Sequence, residues 1–149
     1  MQTLFDQIEN EKMINRINQL TPDSKPLWGK MTAAQMLTHL QKPLEVAFGD
    51  LNLKHSFIGF LFGKMAKKKM LGEGPFSKNL PTDASFKITN DRNIEQEKAK
   101  TISLVKTMVE KGPAGITTNA HPFFGKMNVT EWDTLQYKHL DHHLQQFGV

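Results

Sequence analysis

The chain of 149 residues contains no cysteine. That excludes disulfides, thiolate nucleophiles, Cys-ligated zinc and iron–sulfur clusters. Long apolar runs are missing too. The longest mostly apolar stretch is Phe57 to Phe62, far short of the roughly 20 residues a membrane span needs. The opening residues, Met1-Gln2-Thr3-Leu4-Phe5-Asp6, have no basic region followed by an apolar core. No cleaved secretory leader is expected, and a cytoplasmic location follows by default.

Charge of one sign is scarce. Lys and Arg number 19 against 15 Asp and Glu, a net charge of +4. This excess demands neither nucleic acid nor anionic lipid. Its only local concentration is Lys64, Lys67, Lys68 and Lys69. Three consecutive lysines spread around a helix rather than forming one stripe, so a solvated face is expected. Arg92 is the only arginine between that run and the C-terminus, which argues against bidentate base readout. Neither a nucleic acid nor a membrane is an expected partner.

What is present is an ordinary globular composition, 38% hydrophobic and 23% charged. The length suits one domain over residues 1–149, burying about 68–70% of its unfolded surface. Leu4, Phe5, Ile8, Met13, Ile14, Ile17 and Leu20 recur near every 3.6 residues and predict a first helix over 3–20. Two prolines in Thr21-Pro22-Asp23-Ser24-Lys25-Pro26 stop it. Thr32 with Gln35 is a capping box for the second helix, and Met31 with Met36 a hydrophobic staple. Gly49 ends that helix, and Pro43 is expected to kink or divide it near His39.

Residues 49–90 are the least regular. Phe57, Ile58, Phe60, Leu61, Phe62, Met65 and Met70 suggest a short, partly buried helix interrupted by Gly59 and Gly63. The third long helix is expected over 91–111, closed by Gly112-Pro113. The fourth repeats the entry of the second: Gly125-Lys126-Met127-Asn128 matches Gly29-Lys30-Met31-Thr32 in all but the last residue. Asn128 with Glu131 is the second cap, and Met127 with Trp132 the second staple. Four amphipathic helices and few strand signals predict an all-α, four-helix bundle.

Histidines occupy positions 39, 55, 121, 139, 142 and 143. His139 and His143 are four apart, so their rings leave one helix face about 5–6 Å apart at Cβ. That face also carries Trp132 and Leu135, so both rings enter the bundle. Buried imidazoles without partners cost about 1–3 kcal/mol each, and one metal ion satisfies both. His39 shares the inner face of its helix with Gln35 and Met36. It stands about 10 Å from its helix start, whereas His139 and His143 stand about 6–12 Å from their helix end. The three meet only if the second and fourth helices are antiparallel, which requires a crossover connection. Two readings stand open: a shared metal, or ordinary core and surface histidines. His142 and Asp141 are expected to point away from the pair, His142 toward solvent or a partner and Asp141 as a surface charge. His55 and His121 lie in loop contexts, and His121 before Pro122 reads as structural.

At these residues the chain resembles the DinB-like (YfiT-like) metalloenzymes, in a branch known as a domain of unknown function. The resemblance rests on Trp28 through His39, on His121-Pro122-Phe123-Phe124-Gly125-Lys126-Met127, on Trp132, and on His139 with His143. It implies an up-down-down-up bundle with a long crossover between helices two and three. It implies a divalent metal held by His39, His139 and His143. Family members include metal-dependent transferases using low-molecular-weight thiols, and an isomerase, and they often form homodimers.

Three neutral imidazoles leave a coordination position open, as in catalytic zinc sites. Nitrogen ligands suit zinc or nickel, with iron or manganese also compatible. A water or thiolate is favoured at the open position, and any thiol must come from a small-molecule cosubstrate. No His-Glu-x-x-His glutamate is present. Helical face makes Gln35, Gln136, Gln146 and Glu45 candidates to orient the ligands. The expected activity is thiol-dependent S-transfer or hydrolysis. The alternative is a bundle that holds metal or a small ligand without turnover.

Overall fold

The computed structural model describes residues 2–54 and 57–149, and of residues 57, 58 and 60 the backbone alone. The expected loop setting of His55 lies outside the described residues. Among the described residues the α-helices are α1 (Gln7–Asn18), α2 (Ala33–Phe48), α3 (Phe57–Leu71), α4 (Ile94–Lys111) and α5 (Val129–Gln146). Single 3-10 turns fall at Ala84–Phe86 and Gly112–Gly115. Among the described residues the only β pairing is the isolated bridge between His121 and Gly125.

The helix starts follow side-chain capping. Asp6 accepts from the backbone N–H groups of Ile8 and Glu9, so α1 begins at Gln7 and not at Thr3. Both expected capping boxes form, Thr32 with Gln35 and Asn128 with Glu131. The glycine three residues before each cap has a positive φ, 82° at Gly29 and 71° at Gly125. A Cβ disfavours that conformation, so the repeated Gly-Lys-Met fixes the same sharp entry into both helices.

α1 packs on α4, α4 on α2, α2 on α5, and α5 on α1. Met36, Leu37, Leu40 and Leu44 of α2, Met108 of α4, and Trp132, Leu140 and Leu144 of α5 are fully buried between them. Each such side chain contributes about 1.5–3 kcal/mol by leaving water. Pro43 does not divide α2, which runs unbroken from Ala33 to Phe48. An interior proline costs about 3 kcal/mol, and the buried Leu40, Leu44 and Ala47 on either side of it hold the helix together against that cost.

The segment expected to be irregular contains a fifth helix. α3 is continuous over 15 residues, and Gly59 and Gly63 do not interrupt it. A Cβ built on Gly59 would lie 2.7 Å from the Phe123 carbonyl oxygen, and one on Gly63 would collide with the same atom. These glycines bring the helix backbone against the 121–125 loop.

Candidate metal centre

α2 delivers His39 two turns after its capping box, with the side chain 4% exposed. Its Nδ1 lies 2.9 Å from the Phe86 carbonyl oxygen. A carbonyl only accepts, so Nδ1 carries the proton and Nε2 presents its lone pair. The 3-10 turn at Ala84–Phe86 sets that carbonyl, and the Asp83 side chain caps the turn through the Ser85 N–H.

α5 delivers the other two rings. His143 Nδ1 lies 2.7 Å from Gln146 Oε1. Gln146 Nε2 donates to the Trp28 carbonyl at 2.6 Å, which fixes the amide with its oxygen toward His143. His143 is therefore protonated on Nδ1, with Nε2 free to ligate. His39 Nε2 and His139 Nε2 stand 3.0 Å apart. Ring centroids are separated by 4.9 Å for His39 and His139, 4.8 Å for His39 and His143, and 4.7 Å for His139 and His143. One nitrogen from each ring lies within 4.8 Å of the others. Around a tetrahedral zinc such atoms stand about 3.3 Å apart, so small rotations suffice.

Burial keeps all three rings neutral. It pulls the His39 pKa below its usual 6.5, against an opposing effect of the Phe86 carbonyl. It pulls His143 down to about 3, with repulsion from His39 adding and the Gln146 bond opposing. His139 is driven well below 6.5 by burial and then by His143, His39 and His142. Neutral imidazole is the form that ligates a metal.

Among the described residues, three buried side-chain nitrogens lack a hydrogen-bond partner: Trp132 Nε1, Gln136 Nε2 and His139 Nδ1. They lie at i, i+4 and i+7 on one stripe of α5. With His39 and His143 both protonated on Nδ1, the cluster interior receives lone pairs and no matching charge. One nitrogen from each of the three rings is placed so that together they could hold a cation.

The expected orienting residues divide. Gln146 holds His143. Gln136 is buried beside the site, with its amide nitrogen unpaired. Gln35 is consumed by the capping box and donates to the Asn90 carbonyl. Glu45 pairs with Lys42 and Lys100. Neither Gln35 nor Glu45 touches the rings, because capping and ion pairing claim their polar ends.

His142, expected toward solvent or a partner, lies only partly open and packs among neighbouring rings. It is half-buried, 5.6 Å from the Trp28 ring, 5.7 Å from Phe76 and 5.1 Å from His143. Asp141 is a partly exposed surface charge that pairs with Arg16 at 2.8 Å. His121 is structural: its Nδ1 accepts from the N–H groups of Phe123 and Phe124, and its ring packs on Phe124 and Trp132. Phe86 joins the metal centre to a cavity of about 230 Å³ that Leu53, Asp83, Ser85, His121 and Phe123 also line. The Phe86 carbonyl is the partner that sequence reasoning missed, because a backbone acceptor carries no side-chain signature.

A family model described as "Protein of unknown function (DUF1569)" matches residues 4–148. No curated protein and no solved structure matches the chain.

Proposed function

We propose, for a chain that belongs to the DUF1569 family, that His39, His139 and His143 hold one divalent cation and that the protein is a metal-dependent enzyme. The observation that carries this reading is the inward convergence of three neutral imidazoles whose outer nitrogens, at His39 and His143, are tied to fixed acceptors. Zinc or nickel suits the donors. Such a cation supplies the Lewis acidity that draws a proton from water or a thiol near neutral pH.

The chain's own residues define what else is available. Gln146 and the Phe86 carbonyl orient two of the ligands. Trp28, Phe76 and His142 wall one side, with Lys78 over Trp28 at 4.4 Å. Among the described residues no carboxylate belongs to the cluster, so three neutral ligands leave the charge of the cation unspent for an anionic substrate or thiolate. This supports transfer to or from a low-molecular-weight thiol, or hydrolysis, as the reaction. The meeting of His39 with both rings of α5 supports antiparallel α2 and α5, and with them the up-down-down-up order of the DinB-like bundle. A homodimer belongs to the same reading.

The absence of an acid or base among the ligands favours a second reading, a holder of metal or small ligand without turnover. One experiment separates them. Protein purified without an affinity tag is analysed for metal, then assayed for thiol conjugation to electrophiles. About one divalent ion per chain with turnover supports the enzyme, and the ion without turnover supports the holder. A chain purified metal-free that also takes up no added zinc removes both.

A further inference from the structure

We propose that the outer face of α3 docks onto an anionic lipid surface. The two sides of this helix differ sharply. Gly63, Ala66, Lys67 and Met70 turn inward, at one-turn spacing, and are buried or half-buried. Leu61, Phe62, Lys64, Met65, Lys68 and Lys69 turn outward and are exposed. Leu61, Phe62 and Met65 are 57%, 53% and 70% exposed. They form one stripe at i, i+1 and i+4, and Lys68 and Lys69 continue it by another turn.

The lysines do not spread evenly, as their spacing alone suggests. Lys67 faces the protein, pairing with Glu131 at 2.8 Å and donating to the Lys126 carbonyl. Among the described residues Lys64, Lys68 and Lys69 make no ion pair. From Phe57 to Leu71 the sequence has no Asp or Glu. The result is an apolar stripe flanked by unpaired positive charge, the composition of a helix that lies in a bilayer interface. No helix among the described residues is long and apolar enough to cross a membrane, and interfacial binding needs none. The acyl boundary takes Leu61, Phe62 and Met65, while phosphate headgroups take the ammonium groups at the ends of flexible stems. A second copy of the chain fits this face poorly. A two-fold contact sets the same patch against itself, bringing Lys64, Lys68 and Lys69 against their own counterparts.

The test is co-sedimentation of the whole protein with phosphatidylcholine vesicles, with and without phosphatidylglycerol, at low and high salt. Three lysines near such a surface raise partitioning roughly a hundredfold over neutral vesicles, and salt reverses most of that gain. The triple variant Lys64→Gln, Lys68→Gln, Lys69→Gln removes the lipid preference, and Phe62→Ser with Met65→Ser lowers binding to both salt-resistant and salt-sensitive pools. All five positions are exposed, so circular dichroism stays that of the parent. Ile8→Ser, an exposed apolar site on α1, leaves binding unchanged. No pelleting, or equal pelleting on neutral vesicles, overturns the proposal. So does a dimer in sedimentation velocity that Phe62→Ser dissolves while vesicles stay unbound.

Discussion

His39 Nε2 and His139 Nε2 stand 3.0 Å apart although 100 residues of chain separate them. The first expected consequence concerns ligation. His139→Ala lowers zinc affinity by more than about a hundredfold, beyond the range typical of an orienting residue. His142→Ala leaves it within a few fold, since that ring packs on Trp28 and Phe76. Competition titration against a chromogenic chelator measures both. Equal losses would falsify the three-ligand reading.

Gln146 and Gln35 offer a paired test. Gln146→Leu frees His143 Nδ1 and is expected to weaken zinc binding about 10- to 100-fold. Gln35→Ala breaks the capping box and costs about 1 kcal/mol of stability, with zinc affinity unchanged. Chelator competition and urea unfolding on each variant give a two-by-two comparison.

Acid sensitivity of the metal-free protein follows from His121, whose pKa burial lowers from 6.5 to about 4. The unfolded chain takes up a proton below pH 6.5 and the folded ring does not. Its contribution is therefore complete above pH 6.5 and disappears as pH falls toward 4, a loss of about 3 kcal/mol. His39, His139 and His143 act in the same direction. His121→Asn keeps an acceptor for the Phe123 and Phe124 N–H groups, so its urea-derived stability should fall less steeply between pH 6.5 and 4. An unchanged slope would place the titration elsewhere.

Gly63→Ala sets two effects of opposite sign against each other. Helix propensity favours alanine by about 1 kcal/mol. The new Cβ collides with the Phe123 carbonyl, and such overpacking costs about 1–3 kcal/mol. Net destabilisation is expected in thermal unfolding. A higher Tm would mean that α3 does not approach the 121–125 loop.

Local chemistry made much of this legible before any coordinates. Thr32 with Gln35 and Asn128 with Glu131 announce helix starts because their side chains satisfy backbone donors only three residues away. The four-residue spacing of His139 and His143 places two rings on one face by helical geometry alone. α3 was legible only as a short, interrupted helix, since Gly59 and Gly63 resemble breaks and Leu61, Phe62 and Met65 face outward. Periodicity assumes that apolar means inward, and that assumption fails on this helix.

The sequence by itself determined which segments cap, which rings are paired on α5, and that the chain supplies no thiolate of its own. Only tertiary structure decided that His39 joins the pair, that the Phe86 carbonyl and Gln146 fix two of the proton positions, and that Gln35 and Glu45 are occupied elsewhere. Caps and helix faces depend on neighbours within a turn or so. The meeting of α2, α5 and the turn at Ala84–Phe86 depends on how whole helices pack, and side-chain spacing carries no record of that.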